Sequence, residues 1–262
     1  MKNLLSVIII TRNEEANLRE CLESIRKIAN EIVVVDSDSS DQTQNIAREY
    51  GAVIQITHDW LGFGAQKNRA LYLAKNDWIL SIDADERVTT ELALEITNLL
   101  QAQPECPSYE IPRSSWYCGR FIKHSGWYPD YVLRLFNRQA AKFSMDLVHE
   151  RVLPSGAVGR LSSPLLHYSF QDFSHVLTKM DRYSSASAEQ LYLLGKNSNL
   201  PKAVAHGLWA FVRTYVLRAG FLDGAQGFAL AVSNAEGTYY RYLKLWLLIQ
   251  QRGPCQKNSS SA

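Results

Sequence analysis

At 262 residues with 46% hydrophobic content, the chain can bury a full core, as one large domain or as a domain with a substantial appendage. Its 28 Lys and Arg against 26 Asp and Glu leave a net charge of +2, which excludes a globally basic nucleic-acid binder and makes any anion site local. Four widely spaced cysteines, Cys21, Cys106, Cys118 and Cys255, form neither a CxxC metal pair nor a disulfide framework, and they suit a reducing compartment.

The apolar run from Leu4 to Ile10 ends in Thr11-Arg12-Asn13-Glu14-Glu15 with no small-residue cleavage site, so it reads as a first strand rather than a signal peptide. A helix with Leu18, Leu22 and Ile25 on one face follows. The alternation recurs: Ile32 to Val35 then Gln42 to Tyr50, Ala52 to Thr57 then Ala65 to Ala74, and Trp78 to Ile82 then Thr90 to Leu100. Four such units predict an α/β fold with a doubly wound, mostly parallel sheet. From Tyr109 to Val152, short alternating runs rich in aromatics, Gly and Pro predict further strands. Beyond Asp172 the pattern predicts helices near 172–195, 201–219 and 223–250. The expected organisation is an α/β domain over 1–170, a helical extension over 171–256, and a disordered polar tail over 257–262. No apolar run reaches the roughly 20 residues of a membrane-spanning helix.

In open parallel sheets, ligands bind beyond the carboxyl ends of the strands. The segments at those ends are polar here: Thr11 to Glu15, Asp36 to Asp41, His58-Asp59, and Asp83 to Glu86. Asp83-Ala84-Asp85 carries carboxylates at i and i+2, which point the same way from an extended chain and can face one Mg²⁺ or Mn²⁺, with diphosphate oxygens and water completing its shell. Asp36 and Asp38 open a second acidic cluster. Helix capping accounts for Asp41 or Ser40 but not for Asp36, whose carboxylate suits a nucleobase N–H or a ribose hydroxyl. Gly62-Phe63-Gly64 opens a helix that places Lys67 and Arg69 one turn in, where they can meet phosphate. Neither GxGxxG nor GxxxxGK[ST] occurs, which argues against dinucleotide redox chemistry and P-loop hydrolysis.

Taken together in order and spacing, the Thr-Arg-Asn-Glu-Glu segment, Val-Asp-Ser-Asp-Ser-x-Asp-x-Thr, Gln-Lys-Asn and Ser-Ile-Asp-Ala-Asp-Glu resemble glycosyltransferase family 2, inverting enzymes of the GT-A fold. The segments Gly126 to Phe136, Val148-His149-Glu150 and Arg218 to Gly224 resemble a subgroup acting in lipopolysaccharide core biosynthesis, related to the β-1,4-glucosyltransferase of the inner-core heptose. The chain has no QxxRW motif, so processive polymerisation is disfavoured.

The resemblance implies a UDP-sugar donor, with Asp36 reading uracil or ribose and Thr11, Asn13 and Glu14 lining the same pocket. It implies that Asp83 and Asp85 handle ribose and metal, with Asp85 the direct ligand and His149 near metal or diphosphate. Asp130 or Glu150 then takes the acceptor hydroxyl's proton, although Pro129-Asp130 replaces the family's usual Glu-Asp pair. It also implies that 1–170 is the nucleotide-sugar-binding catalytic domain, that 171–256 faces a lipid-linked glycan acceptor or the membrane, and that the protein is peripheral on the cytoplasmic face of the inner membrane; no nucleic-acid partner is expected, in keeping with the balanced charge. Aromatics from Trp209 to Trp246, interspersed with Lys and Arg, suit a headgroup zone and equally suit packing within the extension. Two rival readings are a sugar nucleotidyltransferase, which usually carries a glycine-rich basic loop after strand one, and a catalytically silent donor-binding protein at the membrane.

Overall fold

The computed structural model describes residues 3–145 and 151–253; His149, Glu150 and the tail 257–262, on which expectations fall, lie outside them. The chain divides into two compact units, Met1–Ser114 with Pro129–Tyr168, and Ser115–Tyr128 with Ser169–Ala262.

In the first unit the β-branched runs form β1 (Leu5–Thr11) and β2 (Glu31–Asp36), with β3 (Val53–Ile56) at the edge and β4 (Trp78–Ser81) on the other side. They pair in parallel in the order β3-β2-β1-β4. Alternate residues of β1 serve opposite faces, as the strand's period of two requires. Val7 and Ile9 pack with α1 (Glu15–Ile25), while Ile8 packs with Val33, Val35 and the alanines at 70 and 74. Helix α1 buries Leu18, Cys21, Leu22 and Ile25, one stripe at helical spacing. Three further crossover helices follow, α2 (Thr43–Glu49), α3 (Phe63–Leu73) and α4 (Thr90–Gln101), the last capped by Thr89 Oγ1 accepting from Leu92 N–H at 3.1 Å.

The remaining strands are β5 (Glu86–Val88), β6 (Ser108–Tyr117), β7 (Arg120–Phe121), β8 (Asp130–Asn137), β9 (Ala141–Phe143), β10 (Val152–Pro154), β11 (Val158–Arg160) and β12 (Leu165–Phe170). Strand β8 joins β4 antiparallel and β6 joins β8, placing Arg113 opposite Asp130. Strand β12 pairs antiparallel with β5, placing His167 opposite Glu86. The strand path therefore runs β3-β2-β1-β4-β8-β6-β12-β5: a parallel half of doubly wound type, extended by antiparallel strands.

The second unit contains α5 (Phe173–Leu193), α6 (Leu200–Val212) and α7 (Gly224–Arg252). Asp172 and Asn199 cap the first two of these through His175 N–H and Lys202 N–H. The continuous helix expected over 201–219 is not observed. α6 ends at Val212, a π turn covers Arg213–Leu217, and a 3₁₀ turn covers Gly220–Asp223. Close backbone approach is the cause: Ala219 sits at φ 52°, and a Cβ at Gly220 would lie 2.7 Å from the Thr214 carbonyl oxygen.

Asp223, fully buried, pins this turn to the segment after β7 by accepting the backbone N–H groups of Lys123 (3.0 Å) and His124 (2.9 Å). Replacing Asp223 with Ala removes the acceptor of both amides and empties a fully buried site, so Asp223→Ala should lower stability by about 2 kcal/mol, measured by denaturant unfolding.

Candidate active site

The carboxyl ends of β1 and β2 are joined by side chains bonded to backbone. Thr11 and Asp36 are register partners, and Thr11 Oγ1 donates to Asp36 Oδ2 at 2.8 Å. The fully buried Asp36 also accepts Ser39 N–H, Ser39 Oγ and Gln44 Nε2. Asn13 and Asp38 both hold positive φ, 54° and 58°, where the chain reverses sharply. Asn13 N–H donates to Ser39 Oγ, Asn13 Oδ1 accepts Ser40 N–H, and Glu14 N–H donates to Thr43 Oγ1. Asp41 Oδ1 accepts the N–H of Thr43, the first residue of α2. The two loops thus form one rigid rim.

Adjacent residues of α3 tie this rim to the end of β4. Gln66, fully buried, donates to Ser37 Oγ (3.0 Å) and Thr57 Oγ1 (2.8 Å), while Lys67 Nζ lies 3.0 Å from Asp83 Oδ1. From Lys67 an alternating chain of charge crosses the sheet. Asp83 Oδ2 meets Arg134 at 2.5 Å, and Arg134 meets Glu86 at 2.6 Å. Glu86 lies 3.7 Å from Arg113, which donates two hydrogen bonds to Asp130 Oδ2, at 2.6 and 3.0 Å. Glu86 has no exposed surface, so it must be paired to remain ionised. Burial alone would raise the Asp83 carboxyl, but the Arg134 and Lys67 cations outweigh it and hold it well below the usual carboxylate range. The buried Arg134 Nε has no hydrogen-bond partner among the described residues.

The Asp83-Ala84-Asp85 segment is a turn rather than an extended strand end, because Asp83 C=O accepts Glu86 N–H and Glu86 Oε2 accepts Asp83 N–H. The two carboxylates consequently meet different partners. Asp83 faces Lys67 and Arg134, and Asp85 Oδ2 lies 3.3 Å from His167 Nε2. That spacing suits neighbouring ligands of an octahedral ion with bonds of about 2.1 Å. Among the described residues no cluster of three or more His, Cys, Asp or Glu forms a closed metal cage. An oxygen and a nitrogen donor fit Mg²⁺ or Mn²⁺ that takes its remaining ligands from substrate and water. Burial raises the Glu14 carboxyl, and the charges of Asp85, Asp41 and Asp83 add to the rise, so this residue of the first loop senses the end of β4.

A cleft of about 500 Å³ opens beside this network, lined by the cations Lys67, Arg113, Arg134 and Arg151 and the carboxylates Asp83 and Glu110. Thr11, Asn13, Glu14, Asp36, Asp38, Lys67, Asp83 and Asp85 thus gather at the strand ends, and Asp130 lies at the far end of the charge chain. Arg69, by contrast, is engaged by Asp59 through two hydrogen bonds, at 2.5 and 2.8 Å. His149 and Glu150 lie outside the described residues. Glu86, Arg113, Arg134 and His167 were assigned no role from sequence. The one available signal was Arg134, a charge inside the apolar run Val132 to Phe136 that reads as a strand.

The profile of glycosyl transferase family 2 matches residues 6–158. An uncharacterized glycosyltransferase of Rickettsia typhi is 31% identical over 252 residues, covering 92% of this chain and 86% of its own. LpsC of Rhizobium meliloti, a lipopolysaccharide core biosynthesis glycosyltransferase, is 31% identical over 253 residues, covering 92% of each. Among solved structures, TarS of S. aureus in complex with UDP aligns with a TM-score of 0.50 at 16% identity, covering 95% of this chain and 91% of that chain. The fold is that of the GT-A glycosyltransferases. The chain belongs to glycosyltransferase family 2, and it is therefore a transferase.

The depressed Asp83 carboxyl has a stability consequence whose sign is fixed. A group held below its ordinary value of 3.8 stabilises the fold above that pH and loses the contribution as pH falls through 3.8 toward the folded value. Asp83→Asn should therefore cost about 2 kcal/mol at pH 7, between surface and buried pairs, and less at pH 3, as read from urea titrations of both proteins.

Proposed function

We propose that this chain is an inverting, metal-dependent glycosyltransferase that moves a hexose, glucose from UDP-glucose, onto the heptose of a lipid-linked lipopolysaccharide inner core. The observation that carries this reading is the charge chain from Lys67 to Asp130, which sets a cation-lined cleft beside a polar rim suited to a nucleotide. The lipopolysaccharide acceptor is supported by the name of the LpsC relative and by the resemblance of the segments around Trp127 and Gly220.

In this mechanism Asp36, Thr11, Asn13, Glu14 and Asp38 hold the nucleoside, and Lys67 and Arg134 face the diphosphate with Asp83. Asp85 and His167 are the residues that would hold Mg²⁺ or Mn²⁺, which when bound supplies neutralisation of the charge on the departing diphosphate. His149, the metal neighbour implied by the resemblance, keeps that candidacy. Asp130, 44% exposed, accepts the proton of the acceptor hydroxyl. The hydroxyl oxygen bonds to the anomeric carbon from the face opposite the diphosphate, the carbon–oxygen bond to UDP breaks with its electron pair, and the configuration inverts. Glu150 is the alternative base.

Purified protein incubated with Mn²⁺, UDP-glucose and heptose-terminated core should add one hexose, as read by mass spectrometry. EDTA should abolish the transfer, and Asp130→Asn should lower kcat by about a hundredfold or more with UDP affinity unchanged. Full turnover in Asp130→Asn, with loss in Glu150→Gln instead, transfers the base role to Glu150.

A peripheral membrane position follows from the same acceptor. No helix among the described residues is long and apolar enough to cross a bilayer. Helix α6 and the turns after it nevertheless expose Val204, Leu208, Trp209, Val216, Leu217 and Phe221. Residues 190–222 contain Lys196, Lys202, Arg213 and Arg218 and no Asp or Glu. Apolar side chains flanked by cations, without carboxylates, match the headgroup zone of an anionic bilayer. The protein should co-sediment with vesicles containing phosphatidylglycerol, and the double substitution Leu208→Ser with Trp209→Ser should release it with its melting temperature preserved. Equal sedimentation of the two proteins removes this face from the reading.

A further inference from the structure

The second unit holds a cavity of about 260 Å³ between α5 and α7 that the transfer reaction above does not use. Its floor is an aromatic cluster. Tyr117, Trp127 and Phe170 contact one another with ring centroids 5.7 to 6.0 Å apart, and Tyr117 is fixed by a 2.9 Å hydrogen bond between its hydroxyl and Ser233 Oγ. One wall is a face of α5 that includes Lys179, Ser184 and Ser187. The other is a face of α7 carrying Ser233, Asn234, Thr238 and Arg241. The lining positions Val176, Lys179, Tyr183 and Ser187 of α5, and Leu230, Asn234, Thr238 and Arg241 of α7, recur every three or four residues, so each helix presents one continuous stripe to the cavity. Gly237 permits this spacing, since a Cβ there would lie 3.2 Å from Met180 Cγ.

The polar lining has one sign. Lys179 Nζ donates to the Ser169 carbonyl at 3.2 Å and sits 4.7 Å from the Phe170 ring centroid. Arg241 stacks on Tyr242 at 5.0 Å, and its buried Nε has no hydrogen-bond partner among the described residues. Among the described residues no carboxylate lines the cavity; Glu236, on the same helix, acts on Tyr117 from outside the lining. An aromatic floor suits the C–H face of a pyranose ring, and hydroxyls and an amide suit its hydroxyls. Two cations without a carboxylate partner suit a phosphate. The volume lies below the roughly 300–1,000 Å³ of pockets for drug-sized ligands, which limits the occupant to about one ring and its anionic group.

From this lining we infer that the second unit carries a separate binding site for a phosphorylated monosaccharide, either free or as a residue of a lipid-linked glycan. The site needs no transfer chemistry, so it stands or falls independently of the assignment of Asp85 and Asp130.

The test is saturation-transfer NMR on the full chain with saturating UDP, using glucose 6-phosphate as one probe and a purified lipid-linked phosphorylated oligosaccharide as the other. Ring-proton saturation of the soluble probe identifies free sugar phosphate as a ligand, and saturation of the lipid-linked probe alone identifies the glycan. Either outcome supports the site. Arg241→Gln and Lys179→Gln should each weaken binding about tenfold, with UDP affinity and melting temperature unchanged. The proposal is overturned if neither probe is saturated, if unphosphorylated glucose binds equally well, or if both variants bind as the wild type does.

Discussion

A carboxylate with no solvent access cannot stay ionised without partners, and Glu86 is such a group at the centre of the first unit. Its needs organise the surroundings. Arg134 reaches it from β8 and Arg113 from β6, while its second oxygen holds the Asp83 amide and thereby bends the chain at the end of β4. Each arginine then has capacity left for a more exposed carboxylate, Asp83 on one side and Asp130 on the other. The groups nearest the cleft are therefore oriented by a buried group that does not line it. Such a network is costly to leave half-satisfied and rigid when complete.

The sheet makes this pairing a matter of register. Parallel strands β1, β2 and β4 bring three carboxyl ends to one rim, where the end of β2 supplies Asp36 and the loops after β1 and β4 supply Glu14 and Asp83. The antiparallel partners arrive from the opposite direction, so β8 begins where β4 ends, and Asp130 and Arg134 enter from the side. Strand β12 then sets His167 across from Glu86, which brings its imidazole to Asp85. A one-residue slip in either antiparallel pair would turn these side chains to the other face of the sheet.

This division explains what could be read from the residues alone. The parallel half was legible because Leu5 to Ile10 and Ile32 to Val35 are β-branched runs buried on both faces, and because polar loops after such strands mark the ligand end. The charge chain was not, since Arg113 and Asp130 are partners through a hairpin register, and His167 meets Asp85 from 82 residues away. β5 carries no strand signal in the sequence, because two of its three residues, Glu86 and Arg87, are charged yet buried, against the usual pattern. Asp83 and Asp85 were recognised as a motif, but their divergence depends on a turn that Glu86 itself creates. The interruption of the helix at Val212 depends on Gly220 approaching the Thr214 carbonyl and Gly227 approaching that of Gly220, contacts of a turn that helical periodicity does not encode.

The cleft of the first unit and the cavity of the second accommodate their charges by different means. In the first, every cation of the chain from Lys67 to Asp130 is matched by a carboxylate, so the cleft beside it is held rigid before any ligand arrives. In the second, the cations along 190–222 and those lining the cavity between α5 and α7 have aromatic rings or open surface as neighbours instead of acids. A matched network discriminates by geometry, because any ligand must replace bonds already made. An unmatched one discriminates by sign, because it attracts anions of many shapes and binds them in proportion to their charge. The function proposed above, a nucleotide-sugar donor and an acceptor on an anionic surface, would draw on both kinds of site.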